Sequence, residues 1–576
     1  MSIEKVLIYR ISQLVLFVGP MTVYVVSPSA NYDAISLPKM LSISSVGFLI
    51  LTLILSRWNY MRERMGGTLA SLCISFISFM FLTLLFSGAP LGQQIWGSFG
   101  RNTGFVTYTS LLLILVGTAL IQDPQYYAKL VKVFVLSSIP VLVYCFIQMS
   151  GNDPIGWSEK RTFATFGNVN FLSAYLGMIG ISCLAMVLSD QVEGYLRITS
   201  LAIVFCSIPI ILSTDSIQGL MVMLAGGYVV LGMFLNAILN SKVWLLPFGF
   251  LGIGSLISVI FALFNKGFLA PLIFQTSIVL RGDYMHAGFA MTLLRPFLGV
   301  GLDSYGDWYR EVRGVLTTNR GSADRISNSA HNIFLDISSN GGFPLLVLYV
   351  AFVVLAFLGS LRLLRKSEEF NPFFAAIFAT WIGYQVQALI SINQIAVGIW
   401  GWIFTGALLG LYKSLINGQQ HEASNTRSDQ IGKSQKNLSH RSMNRKLRAT
   451  LLPPQITLLG LLGFSVGAIL SIIPLTADIA YKKASQTMAI DQMYKSTQRL
   501  GSTAFHRELV LEAAVKSNLT AQAGEIALSL VGEYPRDFYG WKILALISPV
   551  GSPERSRAVD MLVSLDPFNR QSIPSK

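Results

Sequence analysis

His331-Asn332 stands 50 residues after Arg281, in a long polar stretch that ends where an apolar run begins. An imidazole whose unperturbed pKa is about 6.5 takes a proton from a hydroxyl at neutral pH, which is the work of a general base. A guanidinium stays charged and offers a rigid fork of donors matched to two phosphate oxygens. Together the two groups could deprotonate an acceptor hydroxyl while neutralising a phosphate leaving group. A lone histidine in a loop more often serves structure, so the arginines around it matter. Of five histidines, His421 and His440 fall in a polar basic segment and His506 near the C-terminal end, leaving only His286 and His331 close to Arg281.

Three other polar stretches between apolar runs add candidates. One is Gly100-Arg101-Asn102-Thr103-Gly104. Another runs from Lys160-Arg161 to Gly167-Asn168-Val169-Asn170-Phe171, and the third is Ser213-Thr214-Asp215-Ser216, followed by Gln218. The His331 stretch itself also carries Asp283, Arg295, Arg320 and Arg325. So many arginines imply an anionic ligand; the competing explanations are lipid headgroups and pairing with acids such as Asp153, Asp283 and Asp303. Asp303 and Asp307 are one helical turn apart and are expected on a helix surface or at a cap, not around a metal. Neither metal nor cofactor is expected.

The elements that must position these groups are membrane helices. Over 576 residues, 52% are apolar and 12% charged, with mean hydropathy +0.56. A spanning helix needs about 20 mostly apolar residues, because the hydrocarbon core is roughly 30 Å thick and a helix rises about 1.5 Å per residue. About 13 segments qualify, including 105–121 and 131–148, and the first of them lacks a signal-peptidase-like site and reads as an anchor. The expected fold is an all-α polytopic membrane helix bundle.

The net charge of +14 would point to nucleic acid in a soluble chain. Here the positive-inside bias explains it, and no nucleic-acid partner is expected. Arg57, Arg62 and Arg64 follow the second span, and Arg362, Arg365 and Lys366 follow the tenth. Lys413 to Arg448 holds eight Lys or Arg against two acids. Alternating spans put all three groups on one side, the cytoplasm, together with the N-terminus. The 264–332 loop and everything after Ile473 then lie outside. The arginine-rich stretches thus fall on the face where that rule disfavours them. The four cysteines sit in apolar spans, so neither disulfides nor zinc sites are expected.

The chain divides into a membrane domain at 1–412, a basic cytoplasmic linker at 413–450, a last span at 456–473 and an external helical domain at 480–576. In that tail Tyr534-Pro535-Arg536-Asp537 recurs as Asp566-Pro567-Phe568-Asn569 about 32 residues later. The interval approaches the 34-residue tetratricopeptide repeat, with Trp541, Ala545 and Ala558 as packing residues. A plain helical domain is the alternative, and in either form the tail is an interaction or positioning module.

The run Arg295-Pro296-Phe297-Leu298-Gly299-Val300-Gly301 after Arg281, then His331-Asn332-Ile333-Phe334-Leu335 and Gly341-Gly342, resembles the O-antigen ligase and polymerase superfamily. Thr165 to Phe171 and the Arg101 loop strengthen the likeness, which covers roughly 40–412. The resemblance implies a GT-C-like membrane glycosyltransferase of the bacterial inner membrane. It would move a glycan from a polyprenyl (undecaprenyl) diphosphate carrier to a glycan, lipid or protein acceptor outside. It further implies His331 as base and Arg281 as the phosphate residue. Family members often carry a Ser-Arg pair after the seventh span, whereas here Ser216 is followed by Ile217, Gln218 and Gly219. The remaining phosphate contacts are therefore assigned to Arg161, Arg101 and Arg295, with Gln218 as a neutral donor and Asn332, Asn168 and Asn170 in support. A lipid-linked glycan transporter or a silent envelope scaffold would share the spans and arginines but need no base.

Overall fold

The computed structural model describes residues 2–157, 161–239, 242–274, 276–320, 324–366, 369–425, 450–570 and 573–575, and every regular element among them is helical. The first half comprises α1 (Ile3–Tyr24), α2 (Ser36–Leu55), α3 (Trp58–Met65), α4 (Gly67–Phe86), α5 (Leu91–Trp96) and α6 (Phe105–Ala119). There follow α7 (Pro124–Leu136), α8 (Ser138–Met149), α9 (Val169–Val187), α10 (Gly194–Ser213), α11 (Ile217–Ile238) and α12 (Leu245–Leu263). Then come α13 (Ala270–Ile273), α14 (Thr276–Leu294), α15 (Tyr305–Val312), α16 (Val315–Arg320), α17 (Ile333–Lys366), α18 (Pro372–Ile390) and α19 (Ile395–Asn425). The chain closes with α20 (Pro454–Ser485), α21 (Ile490–Thr497), α22 (Ala504–Lys516), α23 (Thr520–Glu533), α24 (Phe538–Ile547) and α25 (Pro553–Leu565).

Among the described residues twelve helical segments are long and apolar enough to cross a membrane, α7 and α8 counting as one. The thirteenth expected segment is α6, whose 15 residues reach only about 22 Å. Almost all of α6 is buried, so it forms the axis of the bundle. Gly47 of α2 and Gly406 of α19 let their helices close on it, at Ser110 and at the Leu115 carbonyl. α12 is almost fully exposed, as expected of a helix whose neighbour is lipid.

The 264–332 stretch is not an open loop. Four helices occupy it, and α14 buries Ala287 and Met291, four residues apart, against α15 and the chain before α17. The apolar recurrence at three and four residues was there in the sequence, diluted by Arg281, Asp283 and His286. The expected linker at 413–450 begins as a helix, since α19 continues to Asn425; its remainder, 426–449, lies outside the described residues.

Several helix ends gather at one pole. Arg64 donates to the Leu120 carbonyl, Gln122 to that of Arg64, Asn417 to Gln122, and Arg10 to the Thr450 carbonyl, while Arg57 pairs with Glu4. At the opposite pole lie the 25–35, 97–104 and 161–168 loops, Ser216, and the segment before α17. The tail helices α21 to α25 pack each on the next and are fastened to this second pole. Asp566 takes Arg310 and the fully buried Arg313 of α15 and its C-cap. Asp478 of α20 accepts from His506 and from the Tyr32 and Asp33 amides. Of the two Pro-containing motifs of the tail, the first falls in the connection between α23 and α24, and the second follows α25, the last helix among the described residues.

Candidate functional site

The site is built on a break in α17. Gly342 adopts φ +74°, and a Cβ there would lie 2.4 Å from the Phe297 carbonyl oxygen; Gly299, at φ +63°, approaches the Asn340–Gly341 peptide equally closely. Only glycine fits such a left-handed crossing without strain. Through it Phe343 N–H reaches the Pro296 carbonyl, and Val300 and Gly301 reach those of Ser339 and Asn340. The Arg295–Gly301 run and Gly341-Gly342 are thus the two halves of one backbone junction. It detaches the 333–341 turns of α17 from its spanning part and holds them at the pole.

Those turns position the histidine. Asp336, fully buried, accepts from Ser329 Oγ at 2.8 Å and the Ala330 amide at 2.8 Å, and Ser329 Oγ in turn accepts the His331 amide at 3.0 Å. His331 itself sits at φ +52°, a left-handed conformation that costs a non-glycine residue about 1–3 kcal/mol and persists where its surroundings over-determine it. Its ring lies 5.2 Å from that of Tyr284 on α14. Arg101 completes the network: its guanidinium lies 3.5 Å from Asp336, 3.4 Å from Asp303, and donates to the Asn328 carbonyl. Asp303 also accepts the Ser98 and Thr103 amides. Only 6% exposed, Arg101 is a strut beneath the His331 segment and not a surface clamp. Burial alone would lower its pKa; the two carboxylates more than offset that and hold it above the usual value.

Arg281 and Asn332 converge on the last turn of α18. Arg281 Nη1 donates to the Ile390 carbonyl at 3.0 Å and Asn332 Nδ2 to that of Leu389 at 3.0 Å, while Asn332 Oδ1 receives the Leu335 amide and so caps α17. Both arginines act on the imidazole. Burial, then the charges of Arg281 and Arg101, push the His331 pKa down to about 3, so the ring is neutral at physiological pH.

Gln218 is buried, and neither its amide oxygen nor its nitrogen has a hydrogen-bond partner among the described residues; the same holds for Gln387. A Cβ on Gly226 would lie 2.8 Å from the Ala379 carbonyl, and one on Gly383 3.2 Å from Val222. One turn further along each helix sets Gln218 of α11 opposite Gln387 of α18, two and three residues before the carbonyls that hold Asn332 and Arg281.

The other expected residues are dispersed. Asn168 caps α9 through the Asn170 amide, and Asn170 accepts Ser216 Oγ at 2.7 Å, tying α9 to α11 beside Gln218. Arg161 is exposed on the loop whose Phe166 carbonyl accepts Gln394. Arg295 is 14 residues from Arg281, about 21 Å along or beyond α14; it donates to the Ser87 carbonyl and lies 4.7 Å over Trp308. It is therefore not part of the Arg281–His331 cluster. Sequence reasoning missed Asp336, Ser329 and Gln387. An aspartate in the first turn of an apolar helix and a glutamine in an apolar span were the available signals.

Residues 201–350 match the family model described as O-antigen ligase. The match opens in α10, ends beyond the α17 break, and contains Gln218, Arg281, Arg295, His331 and Asn332. No curated protein matches the chain.

Proposed function

Starting from a chain that carries an O-antigen ligase domain at residues 201–350, we propose that this protein transfers a glycan from a polyprenyl diphosphate carrier to an acceptor hydroxyl. The transfer occurs at the external face of the bacterial cytoplasmic membrane. The pole with Arg10, Arg57 and Arg64 is cytoplasmic by the positive-inside rule, and the site and tail are external. The membrane helices through α19 form the catalytic domain, and the tail is a tetratricopeptide-like positioning module.

His331 takes the proton as the acceptor O–H bond breaks. The freed oxygen pair forms a bond to the anomeric carbon, and the carbon–oxygen bond to the diphosphate breaks with its electrons on the leaving group. Arg281 carries that developing charge, with Gln218 and Gln387 as neutral donors beside it, while Arg101, Asp336 and Ser329 fix the base. The single observation that carries this reading is the convergence of Arg281 and the His331-Asn332 pair on the carbonyl end of α18.

The same geometry links base strength to donor binding. Without donor, burial and two guanidinium charges hold the imidazole pKa far below its ordinary value. A diphosphate on Arg281 offsets those charges and raises it, so the base strengthens only when there is a leaving group to expel. The test is His331→Ala in a deletion strain. Glycan transfer falls about 10²–10⁴-fold, the range of a lost general base, while the purified protein still binds undecaprenyl diphosphate. Unchanged transfer would remove the base assignment, and acceptor-independent flipping of a labelled lipid-linked sugar in liposomes would favour a transporter.

A further inference from the structure

The tail and the body enclose a cavity of about 510 Å³, within the roughly 300–1,000 Å³ range of small-ligand sites. Its body wall includes Trp96, Phe99 and Asp307, and its tail wall Glu508, Tyr534 and Asp537. Ser327 and Asn328, on the short segment that carries His331, close one side. Three cations, Arg310, Arg536 and Lys542, line it against six carboxyls, and Arg310 is paired with Asp566 and Arg536 with Glu311.

The chemistry of these walls selects a ligand. Burial raises all three carboxyls, and the Asp537 charge adds to it at the other two: Asp307 is pushed up to about 7, and Glu508 and Asp537 are raised as well. A diphosphate would crowd more negative charge against these desolvated acids, whereas hydroxyl or ammonium donors would pair with them. A second observation is independent of the acids. Asn102 lines the cavity at 3% exposure, and its Oδ1 has no hydrogen-bond partner among the described residues, leaving a buried acceptor for a ligand donor. Aromatic faces on both walls cover the apolar faces of sugar rings.

We propose that this cavity binds the saccharide portion of the acceptor, a neutral or amine-bearing sugar, against the segment that carries His331. The donor diphosphate keeps to the Arg281 side, and the tail is the acceptor's roof. The inference rests on the transferase reading above.

Gly306 lines the cavity, and a Cβ there meets its nearest neighbour, Asn328, at 3.5 Å. A Cβ is therefore accommodated there, and Gly306→Phe places a ring in the space. In a deletion strain complemented with the full chain, this variant cuts glycan transfer about tenfold or more, while the purified protein binds undecaprenyl diphosphate like the wild type. Wild-type transfer by the folded variant, or loss of donor binding with it, overturns the inference. If Gly306→Phe does not fold, the double variant Asp307→Asn/Glu508→Gln decides: reduced transfer with donor binding kept supports the acceptor site, and unchanged transfer refutes it. A wild-type chain that transfers no glycan would instead sink the transferase reading itself.

Discussion

His331 combines a strained backbone, a desolvated ring and two neighbouring guanidinium groups, and each has a measurable consequence. In the free enzyme the imidazole stays neutral down to about pH 3, so the pH profile of kcat/KM shows no acid limb near pH 6.5; a limb there that vanishes in His331→Gln would contradict the depressed pKa of the ring. Stability follows the same shift. Between about 6.5 and 3 the unfolded imidazole binds a proton that the folded one refuses, so this group lowers stability as pH falls through that window and has no effect above it. The melting temperature of His331→Gln therefore falls less steeply with acid than that of the wild type. Arg281→Lys keeps the charge but loses the fork, weakening undecaprenyl diphosphate binding about 10- to 100-fold, as expected for one or two charge-assisted hydrogen bonds. Equal binding by titration would show that the diphosphate sits elsewhere. His331, Asn332 and Arg281 were legible in the sequence because histidine is scarce and the three lie within 52 residues. The role of Arg101 was not, because its partners Asp303 and Asp336 are more than 200 residues away and only folding brings them together.

Helices were read from apolar run length, which succeeds where a segment is continuous and fails where polar residues interrupt a helix or where a helix breaks. α14 was missed for the first reason, and the α17 break for the second, although its glycines were in plain view. Apolar length also says nothing about partners. α20 crosses far from α2 in sequence, yet Gly463 and Gly467 admit the Phe48 and Ser44 carbonyls, and Ser44 Oγ meets Ser471 Oγ at 2.6 Å. Small residues at a membrane helix crossing let backbones approach this closely. A Cβ at Gly467 would come 2.2 Å from the Ser44 carbonyl oxygen, so Gly467→Ile forces the two helices apart at a cost of about 1–3 kcal/mol. A clearly lowered melting temperature of the detergent-solubilised protein is the expected result; an unchanged one would mean that α20 is held by its tail alone.

For the whole molecule, the tail's attachment is the decisive feature. Asp566 belongs to the motif that hinted at a repeat, and in the fold it is the buried acid between Arg310 and Arg313. The same residue thus ends a tail helix and anchors the tail to the body. Asp566→Ala leaves Arg313 buried without that partner, a loss of about 3–5 kcal/mol. Limited proteolysis then releases the tail from the membrane domain; resistance equal to wild type would show that other contacts suffice. The orientation, the catalytic pole and the donor position together make one claim, that a lipid diphosphate binds at Arg281 with its sugar toward His331. A cryo-EM structure of the full chain with bound undecaprenyl diphosphate-linked sugar tests it most directly. The prediction is diphosphate density within hydrogen-bonding reach of Arg281, with the anomeric carbon facing the His331 ring. Density at the opposite, basic pole, or in the carboxyl-lined cavity beneath the tail, would contradict it.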